Sequence, residues 1–368
     1  MREKFSEYLL GELMRAYLMA RLGKGMEMGE HRFEMNAIEN VMKLRDEIMN
    51  RTYEPENYVA FVQKKPVIRE VFAPAFSDKV VHQFLYNQVY AWWNNHMIYD
   101  SYSCRGGKGV WFGIRRADKM MRSVSRNYTE EAWVLKFDLL GYFVSLDRRK
   151  LLSRVEFGLN RQYPEGGEMY RTLRFLWRKV LLDDPVDGVK KISPEEDFWL
   201  IPRGKSLFYQ EYGKGIVVGN LSSQLVSNIY LDQLDRYIKY ELKYKYYGRY
   251  CDDFFIMVKK DELEKAKRDV GKIERYLREE LDVKLHPNKR YIQKIDKGLP
   301  FLGVMIYPRR IVPGRRVVLN FRNAVKRVIA GELDPDVVQS YVAYMENLNG
   351  RNVMMRIFQE HGWWEDDV

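Results

Sequence analysis

The residues of this chain best suited to chemistry are Asp252 and Asp253, in the stretch Gly248-Arg-Tyr-Cys-Asp-Asp-Phe-Phe-Ile-Met-Val258. Adjacent carboxylates repel each other and are tolerated best where a cation binds them. A solvated Asp-Asp turn is the plainer reading, and this stretch alone does not decide between the two. Asp138 is the other candidate, ending the apolar run Ala132-Trp-Val-Leu-Lys-Phe-Asp138. An acid there can simply start a helix. Beside Asp252 it can instead be half of a site for two divalent ions about 4 Å apart, one activating a hydroxyl and the other binding a triphosphate. Magnesium takes oxygen ligands, commonly one or two carboxylates plus substrate phosphates. Neighbouring strand residues point to opposite faces, so Asp138 and Asp252 are taken as the pair and Asp253 as a third. Arg69 and Arg105 could neutralise triphosphate charge, and Lys289 could give a proton to departing pyrophosphate. Each of these cations could equally be part of a wetted surface.

The surrounding pattern says how such carboxylates would be held. Residues 254–258 have no polar position, as in a strand buried on both faces. Tyr244, Tyr246, Tyr247 and Tyr250 make the preceding segment strand-like, so the two acids sit at the tip of a hairpin. From 132 to 293 the order is strand, helices, strand-turn-strand, helix, strand, which is the split βαββαβ arrangement of a sheet with helices on one face. That topology places the end of the first strand beside the hairpin tip, with Asp138 facing Asp252.

The rest of the chain is expected as follows. A helix over 6–22 is stopped by Gly23-Lys-Gly25, and a second runs over 33–50 with Ile38, Val41, Met42, Leu44 and Ile48 on its apolar face. Segments 58–62 and 67–72 form a hairpin decorated by Lys64, Lys65 and Arg69, and Ser77-Asp78 caps the next helix. Ser101-Tyr-Ser-Cys-Arg-Gly-Gly-Lys-Gly109 reads as a basic loop, either a phosphate site or merely flexible, and a helix follows. Residues 182–216 are irregular and read as an insertion. After Ile216-Val-Val-Gly-Asn-Leu-Ser-Ser-Gln224 comes a long amphipathic helix through Leu225, Ile229, Leu234 and Leu242. Leu263, Ala266, Val270, Ile273, Leu277 and Leu281 mark another helix. Strands are expected over 283–295, carrying Lys289 and Arg290, and over 301–307, and helices over 320–331, 335–348 and beyond Gly350.

The 368 residues can bury a large core, and 46% hydrophobic with 31% charged residues is the composition of a globular protein. A net charge of +11 favours a polyanionic partner, nucleic acid first. Two cysteines make neither a disulfide framework nor a zinc set, and the five histidines show no ligand spacing. With no signal peptide visible and no apolar run near the ~20 residues of a membrane span, no membrane association and a cytoplasmic location are expected.

Tyr250-Cys-Asp-Asp253 resembles the Tyr-x-Asp-Asp motif of reverse transcriptases. Phe137-Asp138 through Asp147 resembles their first aspartate motif, and Val218-Gly-Asn-Leu-Ser-Ser-Gln224 their template- and nucleotide-contacting motif. Residues 66–81 and 101–109 resemble the two fingers motifs. Leu285-His-Pro-Asn-Lys289 and Phe301-Leu-Gly303 resemble the two later palm motifs, the last being the primer grip. These matches run in family order over roughly residues 58–310. The resemblance is strongest to the diversity-generating retroelement type, through Ser223-Gln224 and the aliphatic Val218.

The resemblance implies an α+β right-hand polymerase. N-terminal helices and fingers would occupy 1–130, a palm with a ferredoxin-like βαββαβ sheet 131–312, including the insertion near 182–216, and a helical thumb 313–368. It implies an RNA-directed DNA polymerase working with two Mg2+ ions, or Mn2+ as a substitute, on template RNA, a primer or cDNA strand and dNTPs. A small basic accessory protein is a further implied partner. Asp138, Asp252 and Asp253 would be catalytic, and these three with Leu139 would form the metal set. Lys65, Arg69, Arg105, Phe143, Val218, Gly219, Gln224 and Lys289 would contact the nucleotide, and Phe301, Leu302 and Gly303 the primer. Phe143 falls where the family places the aromatic that excludes a 2′-hydroxyl. Copying would be error-prone at template adenines, with Val218 either loosening the nucleotide fit or merely packing. The alternatives are a defence-associated relative making untemplated or protein-primed DNA, and a non-catalytic RNA-binding scaffold.

Overall fold

In chain order, the computed structural model, which describes residues 2–22, 28–64 and 67–363, begins with helices α1 (Arg2–Ala20), α2 (Met28–Met35) and α3 (Ala37–Met49). Strands β1 (Val59–Gln63) and β2 (Arg69–Ala73), helices α4 (Phe76–His96) and α5 (Val110–Val124), and strand β3 (Ala132–Asp138) follow. Next come α6 (Tyr142–Ser145), α7 (Arg148–Gln162), α8 (Glu168–Leu182), β4 (Lys190–Lys191), α9 (Glu195–Trp199) and α10 (Leu221–Arg236). The remainder is β5 (Tyr246–Tyr250), β6 (Asp253–Lys259), α11 (Leu263–Glu279), β7 (Tyr291–Lys294), β8 (Leu299–Phe301), β9 (Val304–Tyr307), β10 (Arg310–Pro313), α12 (Arg315–Ile329), α13 (Asp336–Glu346) and α14 (Arg351–His361). The fold class is α+β, as expected. Among the described residues no helix is long and apolar enough to cross a membrane.

The chain divides into two units. One comprises residues 1–99, 139–237 and 272–286, the other 100–138, 238–271 and 287–368.

In the first unit α1 packs on α3 and α4, and α10 packs on α4 and α7. The expected amphipathic pattern of α10 is corrected. It is buried nearly all round, including Ser222, Ser227, Asn228, Asp232 and Asp235, as suits a central helix whose polar groups find internal partners. The 33–50 helix is broken at Asn36, and Ile38 and Met42 are exposed rather than part of its inner face. Ser77 and Asp78 do not cap α4, whose first turn they occupy. The buried Asp78 carboxylate instead accepts from the Tyr53 hydroxyl at 2.6 Å and the Glu56 amide at 2.9 Å. Gly23-Lys-Gly25 lies outside the described residues.

The β1–β2 hairpin forms as expected, Val59 opposite Ala73, and residues 182–216 complete it. Their strand β4 pairs in parallel with β1, Val59 opposite Lys190. Their Phe198, Ile201 and Leu207 join Tyr58, Ala60, Val62, Phe72 and Val144 in one apolar cluster. The segment is therefore part of the hairpin's core.

Packing within this unit is tight enough to test. A Cβ at Gly158 of α7 would lie 2.7 Å from Trp93 Nε1 on α4. Gly158→Ala should lower stability by about 1–3 kcal/mol through overpacking, against at most ~1 kcal/mol gained in helix propensity. A urea midpoint equal to or above the wild-type value would show that the Trp93 ring yields.

The second unit is built on a four-stranded antiparallel sheet in the order β5-β6-β3-β7. Numbered within the βαββαβ unit, that is 2-3-1-4, the arrangement the strand order predicted. Val134, Phe255 and Met257 cover one face of it together with Ile114, Ala117 and Met121 of α5. Leu299, Phe301, Val304 and Ile306, from the small sheet β10-β9-β8, join the same cluster. Two expected strands are corrected. Residues 283–295 are strand only from Tyr291, so Lys289 and Arg290 sit in the preceding turn. Residues 301–307 are a hairpin that turns at Leu302 and Gly303, whose φ values are 51° and 84°. Helices α12–α14 surround Phe321, Val325, Val338, Met345, Ile357 and Phe358.

Candidate active site

The sheet of the second unit assembles the acidic cluster. β3 and β6 run antiparallel from Ala132 opposite Lys259 to Asp138 opposite Asp253. The direct cross-strand partner of Asp138 is thus Asp253, and Asp252 lies one residue earlier, in the turn after β5. Like charges directly opposite on a ladder are unfavourable. Two lysines offset this. Lys289 Nζ lies 2.7 Å from Asp138 Oδ2, and Lys136 Nζ lies 2.7 Å from Asp253 Oδ1. Asp252 has no such lysine or arginine among the described residues. Burial and the neighbouring Asp138 charge hold its carboxyl above the usual range. Burial also pushes Asp253 up to about 6, with Lys136 opposing the rise. The adjacent Cys251 thiol is pushed up to about 12 by burial and by Asp252, so it is not a reactive thiolate at neutral pH.

This donor set fits a hard divalent cation shared with a substrate. Its ligands are carboxylate oxygens, and a cation would relieve the repulsion that raises Asp252. Among the described residues no three His, Cys, Asp or Glu side chains converge as a ready-made shell, so phosphates and water would complete the coordination.

The other expected site residues of this unit are placed differently. Arg105 is buried in its own loop, where Nη1 donates to the Ser101 carbonyl at 3.0 Å. Burial, with the nearby Arg105 charge, lowers the Lys108 ammonium to about 8. Phe301 is buried in the core beneath the β8–β9 turn, while Gly303 is exposed.

In the first unit, Val218, Gly219 and Gln224 line a groove of about 590 Å3 together with Phe61, Val71 and His82. Val218 is 40% exposed, so it faces open space rather than core. Phe143 and Arg69 are not among the lining residues. Phe143 sits half-buried on α6, and Arg69 Nε donates to Gln63 Oε1 at 3.0 Å. Leu139 begins the second segment of this unit and bridges to Leu285. Lys65 lies outside the described residues.

The start of α10 is held by His82, one of the five histidines without ligand spacing, in a structural role whose partners the sequence did not reveal. Asn220 Nδ2 donates to His82 Nε2 at 3.2 Å, leaving Nδ1–H to donate to Ser222 Oγ at 2.6 Å. Burial lowers the pKa of this ring to about 4, so it is neutral. The unfolded chain takes up the proton near 6.5 and the folded ring only near 4. Stability contributed by neutral His82 is therefore present above about 6.5 and lost as pH falls through that window. Asp78, raised by burial to about 7, works in the opposite sense. The readout is then the difference between wild type and His82→Gln. Between pH 7 and pH 4 the wild type should lose about 2–3 kcal/mol more than the variant. Parallel pH–stability curves would refute the buried neutral ring.

Lys136 was also missed, although the sequence carried a signal. It is the one cation in the otherwise apolar run of β3.

Residues 62–306 match the family model described as "Reverse transcriptase (RNA-dependent DNA polymerase)". The chain is 22% identical over 326 residues to "Protein YkfC" of Escherichia coli (strain K12), covering 79% of this chain and 77% of that protein. It is also similar to the solved apo telomerase of Candida Tropicalis truncated from its C-terminal domain, with 11% identity and a TM-score of 0.48, covering 68% of this chain and 53% of that one. For telomerase from Candida albicans in complex with a fragment of telomeric RNA the values are 10% and 0.49, covering 86% of this chain and 58% of that one. The chain thus spans little more than half the length of either telomerase.

Proposed function

Because the chain belongs to the reverse transcriptase (RNA-dependent DNA polymerase) family, and so to the nucleotidyltransferase enzymes, we propose that it copies an RNA template into cDNA at the Asp138–Asp252–Asp253 cluster. The observation that carries this reading is the β3–β6 register, which sets two carboxylates opposite each other with a third beside them. Asp138 and Asp252 would hold divalent ions, Mg2+ or Mn2+, which when bound activate the primer hydroxyl and neutralise the triphosphate. Asp253, neutralised by Lys136, keeps the cluster from repelling itself apart. Lys289, whose ammonium lies 2.7 Å from Asp138, would release a proton to departing pyrophosphate. Phe143 excludes the 2′-hydroxyl, and Phe301, Leu302 and Gly303 support the primer strand.

Within the family we assign the chain to the error-prone, diversity-generating type, acting with a structured template RNA and a small basic accessory protein. The exposure of Val218 on its groove supports this. An apolar surface there offers the nucleotide no hydrogen bond and tolerates looser geometry.

The test is primer extension on a defined RNA template with dNTPs and Mg2+, followed by sequencing of the product. Template-directed cDNA with errors concentrated opposite adenines is expected. No DNA product would sink the polymerase reading, and product unrelated to the template would favour the untemplated, defence-type reading. Errors spread evenly over the four template bases would remove the subgroup.

A further inference from the structure

Arg249 is 0% exposed, three residues before Asp252, at the penultimate position of β5. A guanidinium so enclosed must spend its donors on internal acceptors. Nη1 donates to the Cys251 carbonyl at 2.9 Å and Nη2 to Ser101 Oγ at 3.2 Å. The first of these acceptors belongs to the peptide that leads into Asp252. Cys251 has a φ of 55°, the left-handed region that a residue with a Cβ enters only under constraint. The guanidinium supplies that constraint, since its bond fixes where the Cys251 carbonyl points and hence where the next residue begins.

The second acceptor ties the turn to the basic loop. Ser101 bridges to Arg249 along the outer edge of β5, with the Tyr102 amide donating to the Arg249 carbonyl at 2.9 Å and the Arg249 amide to the Asp100 carbonyl at 2.9 Å. Asp100 is in turn held by Arg116, through Nε at 2.8 Å and Nη2 at 3.0 Å, and accepts from the Tyr102 hydroxyl at 3.1 Å. The close approach depends on Gly248, where a Cβ would meet the Tyr102 hydroxyl at 2.5 Å.

We infer that Arg249 is a positioning residue, which fixes the Cys251–Asp252 peptide so that the Asp252 carboxylate is preset for a divalent cation, and which couples that presetting to the Ser101–Gly109 loop. Buried polar groups behind metal ligands set ligand orientation, and their removal commonly weakens metal binding. The inference rests on the proposed role of Asp138 and Asp252 as cation ligands.

The test is Mn2+ titration of the full chain followed by electron paramagnetic resonance of free Mn2+, alongside thermal unfolding without metal. Arg249→Lys keeps a positive charge but cannot span both acceptors, and it should weaken Mn2+ binding by about 10–100-fold. Should that variant fail to fold, Ser101→Ala decides. It removes one acceptor without adding bulk and should weaken binding by about five-fold, the worth of one hydrogen bond, in a chain that still unfolds cooperatively, at a modestly lower temperature. Wild-type Mn2+ affinity in both variants, or in Ser101→Ala when Arg249→Lys does not fold, would overturn the inference. A wild-type chain that binds no Mn2+ would instead overturn the cation-site reading, and the inference with it. Asp252→Asn, expected to lose the same binding, identifies the site being titrated.

Discussion

Asp252→Asn should lower the rate of primer extension by about 10^3-fold, the scale on which removing one preorganised electrostatic group slows catalysis. Asparagine keeps the shape of the side chain and one carbonyl oxygen but loses the charge that a divalent cation requires. Asp252 is the carboxylate of the cluster without a lysine partner among the described residues, whereas Asp138 has Lys289 and Asp253 has Lys136. On the proposed reading, its charge is the one available to a substrate-borne ion. Asp253→Asn should cost less, because it removes a carboxylate that Lys136 already neutralises. Single-turnover extension rates, with circular dichroism to verify the fold, make the comparison. Near-normal extension by a folded Asp252→Asn would refute the site, and a greater loss in Asp253→Asn would exchange the two roles.

Phe143→Ala should relax sugar selection, with the preference for dNTPs over rNTPs in kcat/KM falling by about 10–100-fold. A residue can exclude a hydroxyl sterically only if it cannot move aside, and α6 is braced for that. The Tyr142 hydroxyl donates to the Ser227 carbonyl at 2.6 Å, and the Phe143 carbonyl accepts from the Ile216 amide at 2.9 Å. The two rings meet edge to face at 5.2 Å. Gly141, with φ 53°, lets the Gly204 carbonyl approach to where a Cβ would lie only 2.6 Å away. An unchanged dNTP-to-rNTP ratio in Phe143→Ala would end the proposed role of the ring.

The central sheet was legible in the sequence because its signals are local and strong. The run 132–138 holds a single cation before its terminal acid, 254–258 has no polar residue, and the segment before Asp252 is rich in strand-forming tyrosines. Legibility failed where side chains met partners distant in sequence. Nothing near Asp138 says that its cross-strand partner is Asp253 rather than Asp252, since that depends on a one-residue register. His82 looks like any polar residue on a helix until Ser222 and Asn220 arrive 140 and 138 residues later. Arg105 was read as a ligand-facing cation because its loop is rich in glycine, yet the same flexibility lets the guanidinium fold back onto Ser101. The α10 pattern misled because serines and aspartates were counted as solvent-facing, and in the interior of the unit they are hydrogen-bonded instead.

The parallel pairing of β4 with β1 bears on how the chain is made. The β1–β2 hairpin leaves the ribosome early, but the strand that closes the edge of β1 is encoded roughly 130 residues later. At synthesis rates of about 5–20 residues per second, that edge stays unpaired for roughly 6–26 s. An open strand edge recruits other strands, including those of neighbouring nascent chains. The sequence carries Lys64 and Lys65 between the two strands and Arg69 at the start of β2, and like charges at these positions on two nascent chains would oppose edge-to-edge pairing until residues 190–191 arrive.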